Sequence, residues 1–178
     1  GIAMGSRVAP PLAIIFMHAL ESMFLGTSRL QPSLYLRYID DVFGVWEHGL
    51  DSLLEYFTFL NSVHPSIKFT LEHSAVTGCI SFLDTTIHID NAGHYTTELF
   101  VKPMAAPVII HFRSAQPMST KRNTLRSQLI RAMRLSSPGQ TRERSLKTIE
   151  QLFLDNGYPM HLIKKVRSEV MRPRSRVP

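Results

Sequence analysis

Two stretches in the first half of the chain have the hydrophobic pattern of helices. Pro10 and Pro11 suit a first helical turn, and the apolar residues 12–25 that follow predict a buried helix. A second stretch has apolar residues three and four positions apart, which is typical of an amphipathic helix, and Pro65 helps to end it. Its apolar positions are Leu50, Leu53, Leu54, Phe57, Leu60 and Val63.

Between these helices lie two short runs with strong β propensity. Residues 34–39 and 42–46 are rich in Tyr, Val, Phe and Trp, which favours strands. Asp40 and Asp41 separate the two runs. The pattern therefore predicts a tight hairpin with two carboxylates at its tip.

From residue 67 onward the pattern changes to alternation, which predicts antiparallel sheet. The predicted strands begin at Ile67 and cover residues 80–89 and 95–101. Asn91-Ala92-Gly93 between the last two is a hairpin turn signal.

Beyond a proline-containing junction at 103–118, the chain has helical periodicity. Capping residues predict three helices, from Ser119 or Thr120 to about Leu135, from Thr141 to Asn156-Gly157, and from Pro159 onward. We therefore predict an α+β fold in which an antiparallel sheet backed by helices occupies residues 1–102. A basic helical region occupies 119–178.

Composition narrows the class of protein further. Hydrophobic residues make up 44% of the 178 residues, enough for a real core. The single cysteine, Cys79, excludes an internal disulfide and a multi-cysteine zinc site, and the eight histidines have no ligand-type spacing. The early apolar run is too short to span a bilayer, so no membrane association is expected.

The net charge of +6 conceals an asymmetry along the chain. Residues 1–118 hold six Lys/Arg and ten Asp/Glu, a net of −4, whereas residues 119–178 hold fourteen and four, a net of +10. Basic charge on predicted helices favours contact with a polyanion such as nucleic acid. The alternative is a basic tail that is merely solvated.

Asp40 and Asp41 are adjacent carboxylates, and like charges this close repel unless a cation or hydrogen-bond donors hold them. Magnesium prefers oxygen ligands and commonly uses one or two carboxylates together with substrate phosphates. Asp-Asp is also ordinary turn chemistry. The aromatic and β-branched flanks favour the metal interpretation over a polar loop.

Several landmarks in order resemble those of a known family. Residues 37–43, Arg-Tyr-Ile-Asp-Asp-Val-Phe, resemble the Tyr-x-Asp-Asp box of reverse transcriptases. Residues 1–6 and 11–17 resemble the loop and helix that precede this box. Phe82-Leu83-Asp84, Lys102-Pro103 and residues 117–122 look like landmarks of the enzymes of Penelope-like retroelements. The resemblance implies a partial palm over residues 1–102 and a thumb-like region over 119–178.

The resemblance also implies roles for the matching residues. Asp40 and Asp41 would be the catalytic carboxylates that bind the metal, with Tyr38 and Ile39 beside the primer end and the incoming nucleotide. Gly5 and Ser6 would contact template and nucleotide, and Phe82 and Leu83 would lie in a primer-grip hairpin. Lys102 would contact the nucleic-acid backbone. The same backbone would be bound from a thumb or helix-turn-helix-like segment by Lys121, Arg122 and Arg126.

Other interpretations of these residues stay open at the level of sequence. Phe82 and Leu83 are core-like whatever the function, and Lys102 is by default a solvated charge. On the first basic helix, the cationic face lies apart from Leu125, Leu129 and Met133, which line another face. Contacts of this kind reach phosphate rather than bases, so affinity should drop steeply with salt.

The implied function is that of a fragment of an RNA-directed DNA polymerase. It would use Mg²⁺, with Mn²⁺ as the alternative, an RNA template, a DNA primer and deoxynucleotides, in the nucleus or cytoplasm. In that family a further aspartate and the fingers precede this region, so we expect no polymerase activity from this chain alone. Departures at Arg7, Ile14, Val101 and Gln116 put the activity of the parent enzyme in doubt.

The alternative is a non-catalytic nucleic-acid-binding or interaction protein derived from a decayed element. Both hypotheses predict polyanion binding, so binding alone does not separate them. A test for magnesium-dependent primer extension would separate the two hypotheses, because only the polymerase hypothesis predicts it.

Overall fold

The computed structural model describes residues 5–90, 92–102 and 109–172, which form a mixed α+β protein. The chain divides into two compact units, Gly1–Ala75 and Val76–Pro178. The first contains α1 (Ala9–Phe24), β1 (Leu34–Tyr38), β2 (Asp41–Val45) and α2 (Leu50–Val63). The second contains β3 (Cys79–Phe82), β4 (Thr85–Ile89), β5 (Tyr95–Leu99), α3 (Met118–Leu135), α4 (Gln140–Asp155) and α5 (Met160–Met171). The predicted α+β class is confirmed.

In the first unit, β1 and β2 form the predicted hairpin. The strands are antiparallel and pair as far as Tyr38 and Asp41, which leaves Ile39 and Asp40 as a two-residue turn. A two-residue connection keeps the turn tight and fixes the register of the strands.

The core of the first unit is small and aromatic. Phe24 is fully buried, and its ring packs edge-on against Tyr35 and Phe69 at centroid distances of 6.0 and 6.5 Å. Tyr56 of α2 is also buried and stacks on Trp46 at 4.8 Å. These contacts join α1 to β1, and α2 to the segment that follows β2.

The predicted first helix forms, but the prediction that it is buried is wrong. Leu12, Ile15 and Phe16 are exposed, and the buried residues of α1 are Leu20, Glu21 and Phe24. The reason is that the last turns of α1 meet the hairpin, where Glu21 is hydrogen-bonded to Tyr35.

The strand predicted from Ile67 is absent from the described residues of the first unit. Instead, the side-chain amide of Asn61 binds this segment. Asn61 Oδ1 accepts the N–H of Phe69 at 2.8 Å, and Asn61 Nδ2 donates to the carbonyl of Phe69 at 3.3 Å. One side chain therefore satisfies the backbone groups that a neighbouring strand would otherwise bind.

In the second unit the strands form an antiparallel sheet in the order β3-β4-β5. Leu83 and Asp84 form the two-residue turn between β3 and β4. Asp90 shapes the turn between β4 and β5, because its Oδ1 accepts the N–H groups of Ala92 and His94 at 2.9 and 2.8 Å. This confirms the predicted turn, apart from Asn91, which lies outside the described residues.

The helices of the second unit enclose its hydrophobic core. The buried members of this core are Leu99, Leu125, Leu129, Ala132, Leu146, Ile149, Phe153, Tyr158, Ile163 and Val166. The apolar face predicted for the first basic helix is thus confirmed. No described helix has the length and apolar character needed to cross a bilayer.

Hydroxyl groups join the sheet to these helices. Ser145 Oγ of α4 accepts the N–H of Leu99 at 3.0 Å, and Ser137 Oγ accepts the N–H of Thr97 at 3.0 Å. The three-stranded sheet therefore belongs with the helical region, and the chain divides between residues 75 and 76.

The predicted junction at 103–118 lies within this second unit, and residues 103–108 are outside the described residues. The assignment of 1–102 to a palm stays a prediction.

Two helix starts differ from those predicted. α3 begins at Met118 after Pro117, and α4 begins at Gln140 after Gly139. Thr141 lies inside α4, where its hydroxyl donates to the carbonyl of Ser137 at 2.8 Å instead of capping the helix.

Candidate functional site

The carboxylate turn of the first unit presents both aspartates to solvent. Asp40 is the second residue of the turn, Asp41 begins β2, and both are exposed. Ile39, the first turn residue, has φ of 56°, in the left-handed region that β-branched residues rarely adopt. Such a conformation costs on the order of 1–3 kcal/mol and persists only when its surroundings fix it.

A buried ion pair connects this turn to α1. The guanidinium of Arg37 forms a two-point pair with Glu21, through Nε to Oε1 and through Nη2 to Oε2 at 3.1 Å. Arg37 Nη1 also donates to the carbonyl of Ile39 at 3.2 Å. The side chains of Arg37 and Glu21 are only 13% and 10% exposed. Glu21 thus orients Arg37, which in turn holds the first residue of the turn.

Tyr35 completes this cluster by donating its hydroxyl to Glu21 Oε1 at 3.0 Å. Burial, and then the Glu21 carboxylate, raise the pKa of Tyr35, while the hydrogen bond to Glu21 raises the pKa of Arg37. The sequence interpretation missed this cluster. Its signal was the spacing of Tyr35 and Arg37, which places both side chains on one face of a strand.

Asp40 and Asp41 supply the oxygen ligands that magnesium prefers. Among the described residues, no group of three or more His, Cys, Asp or Glu side chains could hold a metal ion. The pair therefore fits an ion that takes its other ligands from water and phosphate, rather than a closed protein site. Magnesium binding here stays a prediction.

The other predicted contacts of the first unit are exposed or half-buried. Gly5 lies in a turn before α1 with φ of 90°, and the carbonyl of Ser6 accepts the N–H of Ala9 at 3.2 Å. Tyr38 and Ile39 are exposed. Within the described part of this unit, no hydrogen bond or ion pair joins Gly5 or Ser6 to the carboxylate turn.

Three other predicted site residues lie in the second unit. Phe82 is half-buried, and Leu83 is exposed with φ of 54°, a positive φ like that of Ile39 in the other hairpin. The next residue, Asp84, forms an ion pair with Arg131 of α3. Lys102 is exposed beside residues that are not described. The roles of Phe82, Leu83 and Lys102 stay predictions.

The three cations predicted on α3 have different environments. Lys121 is buried, its Nζ donates to the carbonyl of Ser114 at 2.7 Å, and it lies 5.5 Å from the ring centroid of Phe112. Arg122 is exposed and bonded to Glu169 of α5, and Arg126 is exposed without an ion pair in the described residues. Lys121 thus stabilises the interior, and only Arg122 and Arg126 lie on the surface.

A second basic face, on α5, was missed by the sequence interpretation, which used this helix only for its apolar side. Ile163 and Val166 are buried, while a polar face is exposed at helical spacing. Its members are His161, Lys164, Lys165, Ser168 and Arg172. Lys164 and Lys165 form no ion pair with any described residue. The sequence feature that could have indicated this face is the set of polar positions opposite the apolar face of α5.

α5 follows α4 through a short turn. Residues 156–159 connect the helices, Gly157 has φ of 80°, and the N–H of Tyr158 donates to the carbonyl of Phe153 at 3.0 Å. A short glycine-containing turn between two packed helices is characteristic of the helix-turn-helix motif.

Glu169 links the basic residues of α3 and α5. Its carboxylate accepts two hydrogen bonds from Arg122 Nη2, at 2.7 and 2.6 Å. The Arg122 hydrogen bond lowers the pKa of Glu169, and Lys165 and Arg126 lie close enough to contribute. Arg122, Arg126 and Lys165 thus surround one carboxylate. Lys164 is exposed beside Lys165 on α5. We call Arg122, Arg126, Lys164 and Lys165 the α3–α5 surface.

A comparison with known protein families finds a match within the second unit. Residues 108–168, about a third of the chain, match the family described as the animal helix-turn-helix domain. No curated protein and no solved structure shows a significant match. The reverse transcriptase resemblance therefore stays a prediction. The C-terminal helical region, which carries the α3–α5 surface, is similar to a helix-turn-helix domain.

Proposed function

We propose that this chain binds duplex DNA through the α3–α5 surface. One observation carries the proposal: α5 presents an exposed basic face directly after a short glycine turn, within the stretch similar to a helix-turn-helix domain. In that motif the second helix lies against the major groove and the flanking cations contact the backbone. Lysines make such contacts chiefly with phosphate, so most of the affinity is independent of sequence.

The ion pairs of the second unit support this proposal, because they leave the α3–α5 surface largely free. Arg167 is half-buried and binds Glu143 and Glu150, each at 2.7 Å. Arg144 pairs with Glu98 at 3.0 Å. The cations that bind the elements together are thus different from Arg126, Lys164 and Lys165, which remain available for phosphate.

The test is binding of the chain to a short labelled DNA duplex over a range of salt concentrations. Lys164→Gln/Lys165→Gln should weaken binding by about tenfold or more and reduce the slope of log K against log[salt] by about 1.8, or 0.9 for each phosphate contact. A matched control is Arg29→Gln/Lys68→Gln, which removes the same charge from exposed positions in the first unit. Equal losses in the two variants would contradict the proposal.

A second candidate function is favoured by the carboxylate turn. Asp40 and Asp41 lie exposed at a hairpin tip that the Glu21–Arg37 pair anchors, which is an arrangement suited to a metal-dependent polymerase. On this hypothesis, a longer protein that adds the further aspartate and the fingers before this chain extends a primer in Mg²⁺, and Asp40→Asn abolishes the extension. Absence of extension by that longer protein would leave binding as the function.

A further inference from the structure

Glu169 is the only acidic residue of α5, and it lies among the cations of the α3–α5 surface. A carboxylate at this position reduces the positive charge of a surface that the proposed function needs. Two other acidic residues of the helical region, Glu143 and Glu150, pair with Arg167, whose side chain is only 22% exposed. The pairing of Glu169 therefore calls for a separate explanation.

Glu169 forms an ion pair that uses only part of the hydrogen-bonding capacity of its partner, Arg122. Both of its carboxylate oxygens accept from the same nitrogen, Arg122 Nη2, so the other N–H groups of that guanidinium have no partner in the described residues. After the Arg122 hydrogen bond, the charges of Lys165 and Arg126 also lower the pKa of this carboxylate, and neither cation forms an ion pair in the part of the chain that is described. The side chains of Arg122 and Glu169 are 47% and 28% exposed, so the site is open to solvent.

We propose that Arg122, Arg126 and Lys165 form a site for one backbone phosphate of DNA, and that the Glu169 carboxylate fills this site in the free protein. The inference rests on the proposed function. On binding, the phosphate replaces the carboxylate as the acceptor for the three cations. A phosphate offers more acceptor oxygens, and exposed ion pairs contribute little to stability, so the exchange is readily reversible. Glu169 then limits affinity for DNA rather than supporting it.

A simpler role for Glu169 would be to hold α3 against α5. The two roles predict opposite effects of removing the carboxylate. If Glu169 fills a phosphate site, its removal strengthens DNA binding by more than one unit of charge explains. If it only connects the helices, its removal lowers the thermal stability of the second unit, and DNA affinity changes no more than in a charge-matched control.

The experiment compares Glu169→Gln with Asp155→Asn in binding to the labelled duplex. Asp155 is exposed at the end of α4 and accepts a hydrogen bond from Gln151, so its change removes the same charge outside the site. Glu169→Gln should bind about tenfold more tightly, with a salt slope steeper by about 0.9, because one further phosphate contact forms. Asp155→Asn should change affinity by less than about twofold and leave the slope unchanged. Glu169→Ala provides a second variant without the carboxylate.

The same change in the Arg122→Gln background identifies the cation that is released. There the gain from Glu169→Gln should fall to that of Asp155→Asn, because Arg122 is no longer present to bind the phosphate. A gain that persists in full, or a Glu169→Gln variant that behaves like Asp155→Asn, would overturn the inference. If instead the unmodified chain binds no duplex even at low salt, the proposed function itself fails.

Discussion

The two units of this chain hold their candidate functional residues by different means. Among the described residues, the first unit buries three large hydrophobic side chains, Leu20, Phe24 and Tyr56, whereas the core of the second contains ten buried residues. The carboxylate turn is positioned by a polar cluster, through Glu21 and Arg37. The α3–α5 surface is positioned by helix packing, since its residues alternate with those of the hydrophobic core.

This difference explains why one candidate site depends on few contacts and the other on many. Loss of one charge in the first unit leaves a buried partner without compensation. Loss of one cation from the α3–α5 surface leaves the core beneath it intact. The two units should therefore respond differently to the same class of mutation, and Trp46 allows them to be followed separately. It is the only tryptophan, and it stacks on Tyr56 within the first unit.

The largest effect is expected for Phe153→Ala in the second unit. Phe153 is fully buried, and its ring contacts Tyr158 edge-on at a centroid distance of 4.7 Å. Removal of a buried phenyl group lowers the free energy of unfolding by about 3–5 kcal/mol. Urea unfolding followed by far-UV circular dichroism measures this loss, and the exposed Met160→Ala serves as the control. Equal small losses in both would show that α4 and α5 are loosely packed.

Glu21→Gln should lower the free energy of unfolding of the first unit by about 3 kcal/mol, because it leaves Arg37 buried without its counter-charge. The loss should appear in the unfolding transition reported by Trp46 fluorescence. Glu47→Gln, at an exposed position of the same unit, should shift that transition little. Similar shifts in the two variants would show that the Glu21–Arg37 pair does not stabilise the hairpin.

The free energy of unfolding should rise by about 1 kcal/mol when glycine replaces Ile39 or Leu83, the residues of positive φ in the two hairpins. The reason is that glycine adopts positive φ without steric cost. Ile39→Gly should stabilise the first unit, measured by Trp46 fluorescence, and Leu83→Gly the second, measured by circular dichroism. A loss of stability in both would indicate that side-chain contacts, not backbone strain, dominate these turns.

The smallest effect is expected on the stability of the fold at acidic pH. The hydrogen bond from Arg167 lowers the pKa of Glu143 below its ordinary 4.5. A carboxyl with a lowered pKa in the folded state stabilises the fold above its unfolded pKa, and that contribution is lost as the pH falls through the folded value. Glu143→Gln should thus remove under about 1 kcal/mol at neutral pH and flatten the loss of stability below about pH 4.5. An unchanged pH profile of thermal unfolding would contradict this.

Sequence alone predicted the elements whose pattern is local. The β1–β2 hairpin follows from two β-prone runs around Asp40 and Asp41, and α3 to α5 follow from apolar spacing, glycine and proline. The absence of a strand at Ile67 could not be predicted, because Asn61 binds the backbone of Phe69 in place of a neighbouring strand. That contact spans eight residues and leaves no periodic signal.

The candidate sites were predictable to a similar extent. Charge counting located the basic region, but it could not show that Lys121 of α3 is buried or that Arg122 is bonded to Glu169 of α5. Nor could it show that the sheet belongs with the helices, since that depends on Ser145 accepting the N–H of Leu99 across 46 positions. Pairings between distant residues are set by packing, which hydrophobic periodicity does not encode.

We propose above all that the second unit binds nucleic acid through α3 and α5. The most direct measurement is titration of a short DNA duplex into the isotope-labelled chain, followed by the NMR shifts of backbone amides and of the Trp46 indole. We predict that the largest changes fall on residues 161–169 and on Arg122 and Arg126, with the Trp46 signal unmoved. Changes confined to the carboxylate turn, or none at low salt, would contradict the claim.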